Sequence, residues 1–368
     1  MDKQIEKLKG KQIVIMAGGT GGHIFPALSV AGALSETGAI ISWLGTKYGL
    51  EGKLVSAQYP IDYISARGLR NRGFVNHLLS PFQILLSVIQ ALYVLKKRRA
   101  KLVLGFGGYP AGAGGLASKI VGLPLIIHEQ NAVPGVTNRL LSKFANKVLC
   151  AFPSSRFKNK KNLEVIGNPI RPEIHNIHAK GHDFYKHSLN VLVLGGSQGA
   201  KLLNEQLPLV LKSLPKGTCP YIWHQTGEKD HQKTIENYHN EGLIKDANIK
   251  VDAFIENIAE AYQWADIVVS RSGASTVSEL AAAGLPAFFI PFPHATDDHQ
   301  YHNAQFLVQA EAAICIRQQY FSPEKLAAFI RAMDLNRAAL VKMSMHAKGV
   351  AKLDAIEKLL HSVAELIK

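Results

Sequence analysis

Residues 13–27 read IVIMAGGTGGHIFPA: an apolar, β-branched run, four glycines within five positions, a histidine, and then a stretch able to form a helix. A strand that ends in glycines and turns into a helix opens a parallel α/β unit. VLVLGGSQGA at 191–200 repeats the design about half a chain later, with apolar strand, Gly-Gly-x-x-Gly and helix in the same order. Two Rossmann-like domains would each begin this way.

The remaining segments extend the pattern. AIISWLG (39–45), KLVLGFGG (101–108) and LPLIIHEQ (123–130) read as buried parallel strands. PALSVAGALSETG (26–38) has Pro near its start and Gly just past its end, as helices do. A chain of 368 residues exceeds one ordinary core, and its 47% hydrophobic content suits a folded α/β protein. The segment 168–188, NPIRPEIHNIHAKGHDFYKHS, is polar, basic and without periodicity, and reads as an interdomain linker. Domains are expected at 1–168 and 169–345, with 346–368 a C-terminal helix returning towards the first domain. Cys150, Cys219 and Cys315 form no CxxC pair, so neither a disulfide frame nor a zinc knuckle is encoded, and a reducing compartment fits. The apolar run at the N-terminus is too short for a secretory signal, so the chain reads as not exported.

Glycines at a helix N-terminus let backbone N–H groups and the helix dipole hold an anion, with phosphate the natural ligand. The dinucleotide fingerprint fails, because counting from Gly19 and Gly21 the third position is Ile24, and no acidic residue closes IISWLGTKYG. No G-x-x-x-x-G-K-[ST] occurs either, so NAD and ATP both lose support. GGSQG (195–199) fits G-x-S-x-G, with Asp266 and His294 following in hydrolase order, but the equivalent first turn carries Thr20 and the hydrolase fold has no second Rossmann half.

The second half concentrates chemistry in 265–304. A strand ending at Ser270 turns through RSGAST into a helix carrying Glu279, placed to accept from vicinal ribose hydroxyls. The next strand delivers HATDDHQ (294–300) to the same sheet edge. His294, Asp297, Asp298 and His299 match no zinc spacing and no DxD pair appears, so no metal and no cofactor are expected. The charge, 42 Lys+Arg against 28 Asp+Glu for a formal +14, calls for an acidic partner. A nucleotide-sugar or nucleic-acid binding protein without transfer activity is the alternative, although no RNA- or DNA-binding signature supports nucleic acid.

GGTGGH, GGYPAGAGG, HEQNAVPGVTN, GNPIR, GGSQGA and SRSGASTVSELAAAGLPAFFIPFP stand in an order that resembles the MurG family of glycosyltransferase family 28, the N-acetylglucosaminyltransferases of bacterial peptidoglycan synthesis. The resemblance spans nearly the whole chain. It implies a GT-B fold, with two Rossmann-like parallel-sheet domains facing a cleft, and the donor UDP-N-acetylglucosamine held mainly by the second domain. The implied acceptor is undecaprenyl-pyrophosphoryl-N-acetylmuramoyl-pentapeptide, lipid I, which becomes lipid II. Motif by motif, it places Glu279 on the ribose, the Ile255 backbone against uracil, and Ser197, Gln198 and Arg171 near the phosphates. Gln300 and His299 would meet sugar hydroxyls, His299 standing where some members have a second Gln. Asn131 would meet the acetamido group, with Thr20 nearby. The first two loops, Gly18, Gly19, Gly21, Gly22 and Gly107, Gly108, Tyr109, are left for the acceptor pyrophosphate.

An α-linked donor giving a β-1,4 bond needs one displacement and one base. His23, at the end of the first loop, is the first candidate, with a capping or pyrophosphate-orienting role as its alternative; Glu129 is the second. A lipid acceptor also asks for a membrane surface. The apolar run 82–95 is too short to span a bilayer. Most of its helix is expected in the core, with Phe74, Leu78, Leu79 and Phe82 as the membrane patch and Lys96, Lys97, Arg98 and Arg99 drawing it to anionic lipid. The expected location is the cytoplasmic face of the bacterial inner membrane, peripherally bound, in reach of the cell-wall and division machinery.

Overall fold

The computed structural model describes all residues except 1–2, 48, 67–73, 154–156, 158–160, 181–182, 186–187, 196–199, 216–219, 244–247 and 368, and at 74–80 and 178–180 the backbone alone. The chain divides into two compact units, Met1–Arg171 with Lys352–Lys368, and Pro172–Ala351.

The first unit is built on seven strands: β1 (Gln12–Ala17), β2 (Ile40–Gly45), β3 (Ile61–Tyr63), β4 (Leu102–Gly107), β5 (Leu125–Glu129), β6 (Lys147–Cys150) and β7 (Leu163–Val165). All pair in parallel, in the order β3-β2-β1-β4-β5-β6-β7. The second unit holds β8 (Asn190–Leu194), β9 (Tyr221–Gln225), β10 (Ile249–Asp252), β11 (Ile267–Ser270), β12 (Ala287–Phe289) and β13 (Ala313–Cys315), also parallel, in the order β10-β9-β8-β11-β12-β13. Strand order therefore reverses between β1 and β4 in one sheet and between β8 and β11 in the other. Loops leaving the carboxyl ends of such neighbours diverge and open a crevice. Those loops are the two glycine turns of the first unit, and in the second the segments that leave β8 at Gly195 and β11 at Arg271.

Strand β1 shows how sequence becomes layers. Ile13, Ile15 and Ala17 face one helical layer while Val14 and Met16 face the other, the period of two expected of a strand buried on both sides. The first layer contains Ile24, Ala27, Val30, Ala31 and Leu34 of helix Gly21–Glu36, together with Leu359, Leu360, Val363 and Ala364 of the C-terminal helix Ala355–Leu366. Helix Gly108–Ile120 presses hard on the second face, where a Cβ at Gly114 would lie 2.1 Å from Met16 Sδ. Gly114 of GGYPAGAGG thus serves helix-on-sheet contact, while Gly112 and Gly115 face Thr137 and Leu141 of helix Val136–Leu141.

One expectation needs correcting. Pro172–Lys180 is a helix within the supposed linker, opened by Pro172 and Glu173, with Ile174 and Ile177 buried one turn apart. It packs on helix Ala274–Ala283 of the second unit. Two isoleucines among polar residues are too sparse a signal for periodicity, yet they suffice once a neighbour covers them.

The C-terminal segment crosses the first unit at Gly167, which holds φ +96°, and where a Cβ would sit 2.3 Å from Lys352 Cβ and 3.2 Å from its carbonyl oxygen. Gly167→Ala should cost about 1–3 kcal/mol, the scale of an imposed left-handed residue. A lower urea midpoint at unchanged m-value would show it.

Candidate active site

At the β1–β4 crevice the two glycine loops interlock. Gly19 takes φ +90°, and its N–H donates to Glu51 Oε2 at 3.2 Å. Glu51 is fully buried, and its Oε1 accepts from Thr46 N–H at 2.7 Å and Thr46 Oγ1 at 2.9 Å. Gly108, at φ +79°, lies so close that a Cβ there would stand 2.5 Å from the Gly18 carbonyl oxygen. Thr20, exposed and extended, precedes helix Gly21–Glu36 without a capping hydrogen bond of its own. Gly21 and Gly22 form its first turn; Gly107 precedes helix Gly108–Ile120, and Tyr109 in that helix's first turn is half exposed.

His23 lies over Gly107, where a Cβ would be 3.0 Å from the ring atoms Cε1 and Nδ1. Its Nδ1 is 3.0 Å from Gln130 Oε1, the Gln130 amide nitrogen is 3.1 Å from His128 Nδ1, and His128 Nε2 is 2.9 Å from the Gly167 carbonyl oxygen. Burial pushes the fully enclosed His128 imidazole down to about 4, against a weaker upward pull from the Gly167 carbonyl. Burial, reinforced by the charge of Glu129, likewise pushes Cys150 up to about 12, which leaves that thiol inert.

Glu129 departs from its expected role as a second base. Only 2% exposed, its Oε1 accepts from Asn131 N–H at 3.0 Å and Asn131 Nδ2 at 3.3 Å, and its Oε2 from Gly135 N–H at 3.1 Å and Asn138 Nδ2 at 2.9 Å. Both oxygens are spent shaping the HEQNAVPG loop, and they hold Asn131 against it. Arg171 reaches back across the unit, its guanidinium 5.3 Å from the centre of the Phe25 ring.

In the second unit, Glu279 is buried in helix Ala274–Ala283 and accepts from Tyr262 Oη at 3.0 Å. The Ile255 N–H is 3.3 Å from Gln225 Oε1, so the backbone expected to meet uracil already has an internal amide partner. Arg271, missed in the sequence, donates to the carbonyls of Ile290 at 2.9 Å and Pro291 at 3.1 Å and to Gln318 Oε1 at 2.9 Å. Ser272 donates to the Gln300 carbonyl at 2.8 Å, and Asn303 Nδ2 to the Ser272 carbonyl at 3.2 Å. The turns after β11 and β12 are thereby sewn together. Gln300 Oε1 accepts from Phe292 N–H at 2.9 Å, leaving the amide NH2 as its remaining donor. His299 Nδ1 donates to the Thr296 carbonyl at 2.8 Å, so the neutral ring keeps Nε2 as an acceptor. Ser197 and Gln198 lie outside the described residues.

The hydrolase arrangement fails on placement. Asp266 precedes β11 and accepts from Asn190 N–H at 2.8 Å at the amino edge of the sheet, whereas His294 follows β12 at the carboxyl edge.

The membrane expectation is also revised. Side chains of Phe74, Leu78 and Leu79 lie outside the described residues, and Phe82 is 72% exposed. Exposed apolar residues continue through Leu85, Leu86, Ile89 and Tyr93, while Val88, Ala91, Val94 and Leu95 face the sheet. One face of helix Phe74–Lys97 fills the core and another shows this stripe, with Gln83, Ser87 and Gln90 in a polar row at helical spacing. Of the basic cluster, Lys97 and Arg98 pair with Asp62 at 3.1 and 2.6 Å, while Lys96 and Arg99 are exposed. Among the described residues, no helix is long and apolar enough to cross a membrane.

Residues 13–150 match the glycosyltransferase family 28 N-terminal domain and residues 190–359 the family 28 C-terminal domain. The chain belongs to glycosyltransferase family 28. A family 28 relative from Shewanella frigidimarina (strain NCIMB 400), named UDP-N-acetylglucosamine--N-acetylmuramyl-(pentapeptide) pyrophosphoryl-undecaprenol N-acetylglucosamine transferase, is 46% identical over 348 residues, 94% of each chain. A relative of the same name from Shewanella denitrificans is 43% identical over 358 residues, 97% of each. The crystal structure of Acinetobacter baumannii MurG matches with a TM-score of 0.79 at 38% identity, covering 97% of this chain and 99% of that one. The calicheamicin glycosyltransferase CalG4, at 14% identity and a TM-score of 0.69 over 97% of this chain and 98% of its own, shares the GT-B fold.

His128 in the first unit and His224 in the second, pushed by burial to about 4 and about 3, make stability depend on pH. Each binds a proton more readily unfolded, near 6.5, than folded, so stability is complete above 6.5 and falls as pH drops towards the folded value. Between pH 7.5 and 5 each unit should lose about 2 kcal/mol from its histidine. Urea unfolding of wild type and His128→Phe at the two pH values checks this, the variant losing that dependence in the first unit.

Proposed function

We propose that the chain transfers N-acetylglucosamine from UDP-N-acetylglucosamine to the muramoyl 4-hydroxyl of lipid I, forming lipid II. The observation that carries this reading is the interlocked pair of glycine loops with His23 seated over Gly107, in a family 28 chain whose close relatives bear that activity in their names. The acceptor pyrophosphate would lie against the amino ends of helices Gly21–Glu36 and Gly108–Ile120, where unpaired N–H groups and helix dipoles favour an anion. On the donor side, Glu279 would accept from the ribose hydroxyls, and Ile255 would exchange its Gln225 partner for uracil. Gln300 would donate and His299 accept at the sugar. Asn131 would contact the acetamido group beside Thr20. Ser197, Gln198 and Arg171 would oppose charge on the leaving diphosphate.

In the inverting step the acceptor oxygen forms a bond to C1 of the sugar while the C1–O bond to UDP breaks and its electron pair leaves with the β-phosphate. The hydroxyl proton passes to His23, whose Nε2 lies outside its Gln130 bond. Glu129 shapes the loop. The exposed stripe Phe82, Leu85, Leu86, Ile89 and Tyr93, with Lys96 and Arg99, would seat the first unit on the anionic cytoplasmic face of the cell membrane, near the cell-wall and division machinery.

UDP release from UDP-N-acetylglucosamine should require a soluble lipid I analogue and persist in excess EDTA; release without acceptor, or only with added magnesium, would reject the reading. His23→Ala should lower kcat by about 10²–10⁴-fold, the worth of a positioned base, with UDP affinity unchanged. Glu279→Ala should weaken UDP binding by about 10–100-fold in calorimetry, the cost of losing charge-assisted hydrogen bonds. Leu85→Ser with Ile89→Ser should reduce sedimentation with anionic vesicles, and raised salt should reduce it further by screening Lys96 and Arg99.

A further inference from the structure

A neutral imidazole has two tautomers, and only one lets a given nitrogen accept a proton. The contacts behind His23 decide between them. His128 Nε2 faces the Gly167 carbonyl oxygen at 2.9 Å. A carbonyl only accepts, so Nε2 carries the hydrogen. Burial keeps this ring neutral at working pH, so its Nδ1 is a bare acceptor. The Gln130 amide nitrogen lies 3.1 Å from that Nδ1 and 3.2 Å from the His128 carbonyl oxygen. Either partner alone would fix which end of the amide points there, and both agree. Gln130 Oε1 is therefore the end facing His23 Nδ1 at 3.0 Å, and an oxygen without hydrogen requires Nδ1 to be the donor.

We propose that Gln130 and His128 are positioning residues that transmit the polarity of the Gly167 carbonyl to His23, holding its neutral ring with Nδ1 protonated and Nε2 free. All three side chains and Gly167 belong to the first unit, and His128 and Gln130 are buried. The anchor is rigid: Gly167 donates its N–H to the Cys150 carbonyl at 3.2 Å and packs against Lys352. The catalytic consequence rests on His23 being the base, since Nε2 is the atom that would take the acceptor hydroxyl's proton. The tautomer assignment does not depend on that role.

The test begins with wild-type protein labelled with 15N in its histidines, His23 signals being identified by their loss in His23→Gln. At a pH where the ring is neutral, the His23 nitrogens should show a protonated Nδ1 and an unprotonated Nε2; a protonated Nε2 overturns the relay whatever the kinetics. In Gln130→Met the tautomers should redistribute, and kcat should fall by about 10–100-fold, part of what a base supplies, with donor KM unchanged. His128→Phe keeps the backbone carbonyl that holds the Gln130 amide, so it should give a smaller redistribution and a smaller fall in kcat. An unchanged tautomer in a folded Gln130→Met overturns the proposal. Redistribution with unchanged kcat upholds the relay and removes His23 as the base instead. If Gln130→Met fails to fold, the wild-type spectrum and His128→Phe still decide.

Discussion

The first unit depends on one close approach, the backbone of Gly108 against the carbonyl of Gly18. Two loops that leave neighbouring parallel strands at a switch point normally diverge; here they touch, because neither residue carries a side chain and Gly108 accepts a left-handed φ. The contact brings two helix N-termini together at one end of the crevice. It also leaves the bare surface of Gly107 beneath the His23 ring. A methyl group at either point would push apart the features that make this edge of the sheet chemically interesting.

The polar support beneath those loops follows a common rule. Glu51 and Glu129 are both buried, and each carboxylate is met by backbone N–H, amide or hydroxyl donors. A carboxylate in such a site is tolerated only with its lone pairs met, and each then fixes the loop that meets them. The loops are thus ordered from below, and the exposed Thr20 above them makes no capping bond. Ordering before binding is what lowers the cost of holding a ligand in one orientation.

Much of this was legible in the sequence. The repeated strand–glycine–helix design identified two parallel-sheet units; β2, β4 and β5 lie within the quoted runs, and β1 and β8 begin one residue before theirs. The chemistry of HEQN was visible as a motif, but the division of labour inside it was not: Glu129 looks like a base until four donors are counted around it, while Gln130, its neighbour, faces His23. Glu51 carried no signal, because its partners Gly19 and Thr46 come from two other loops. The helix at Pro172–Lys180 was missed because its stability comes from the helix it packs on. Composition could not say which apolar face of Phe74–Lys97 is buried, since both the buried face and the exposed stripe are apolar.

In the second unit the backbone itself carries a cost. Asp297 and Asp298 both adopt φ of 53°, a left-handed turn that suits Asp better than most residues but still costs about 1–3 kcal/mol per residue. What offsets it is spread over the surrounding contacts. Arg317 binds Asp298 Oδ2 at 2.6 Å while its guanidinium lies 3.9 Å from the centre of the Tyr301 ring, and the end of the turn is tied by Ser272 to the Gln300 carbonyl and by Gln300 to Phe292. Because that turn immediately precedes His299 and Gln300, the strain is spent where two side chains with committed polarity are presented, one keeping an acceptor and one a donor. A looser turn would leave both free to rotate, and holding a ligand against them would then cost the ordering that the fold has already supplied.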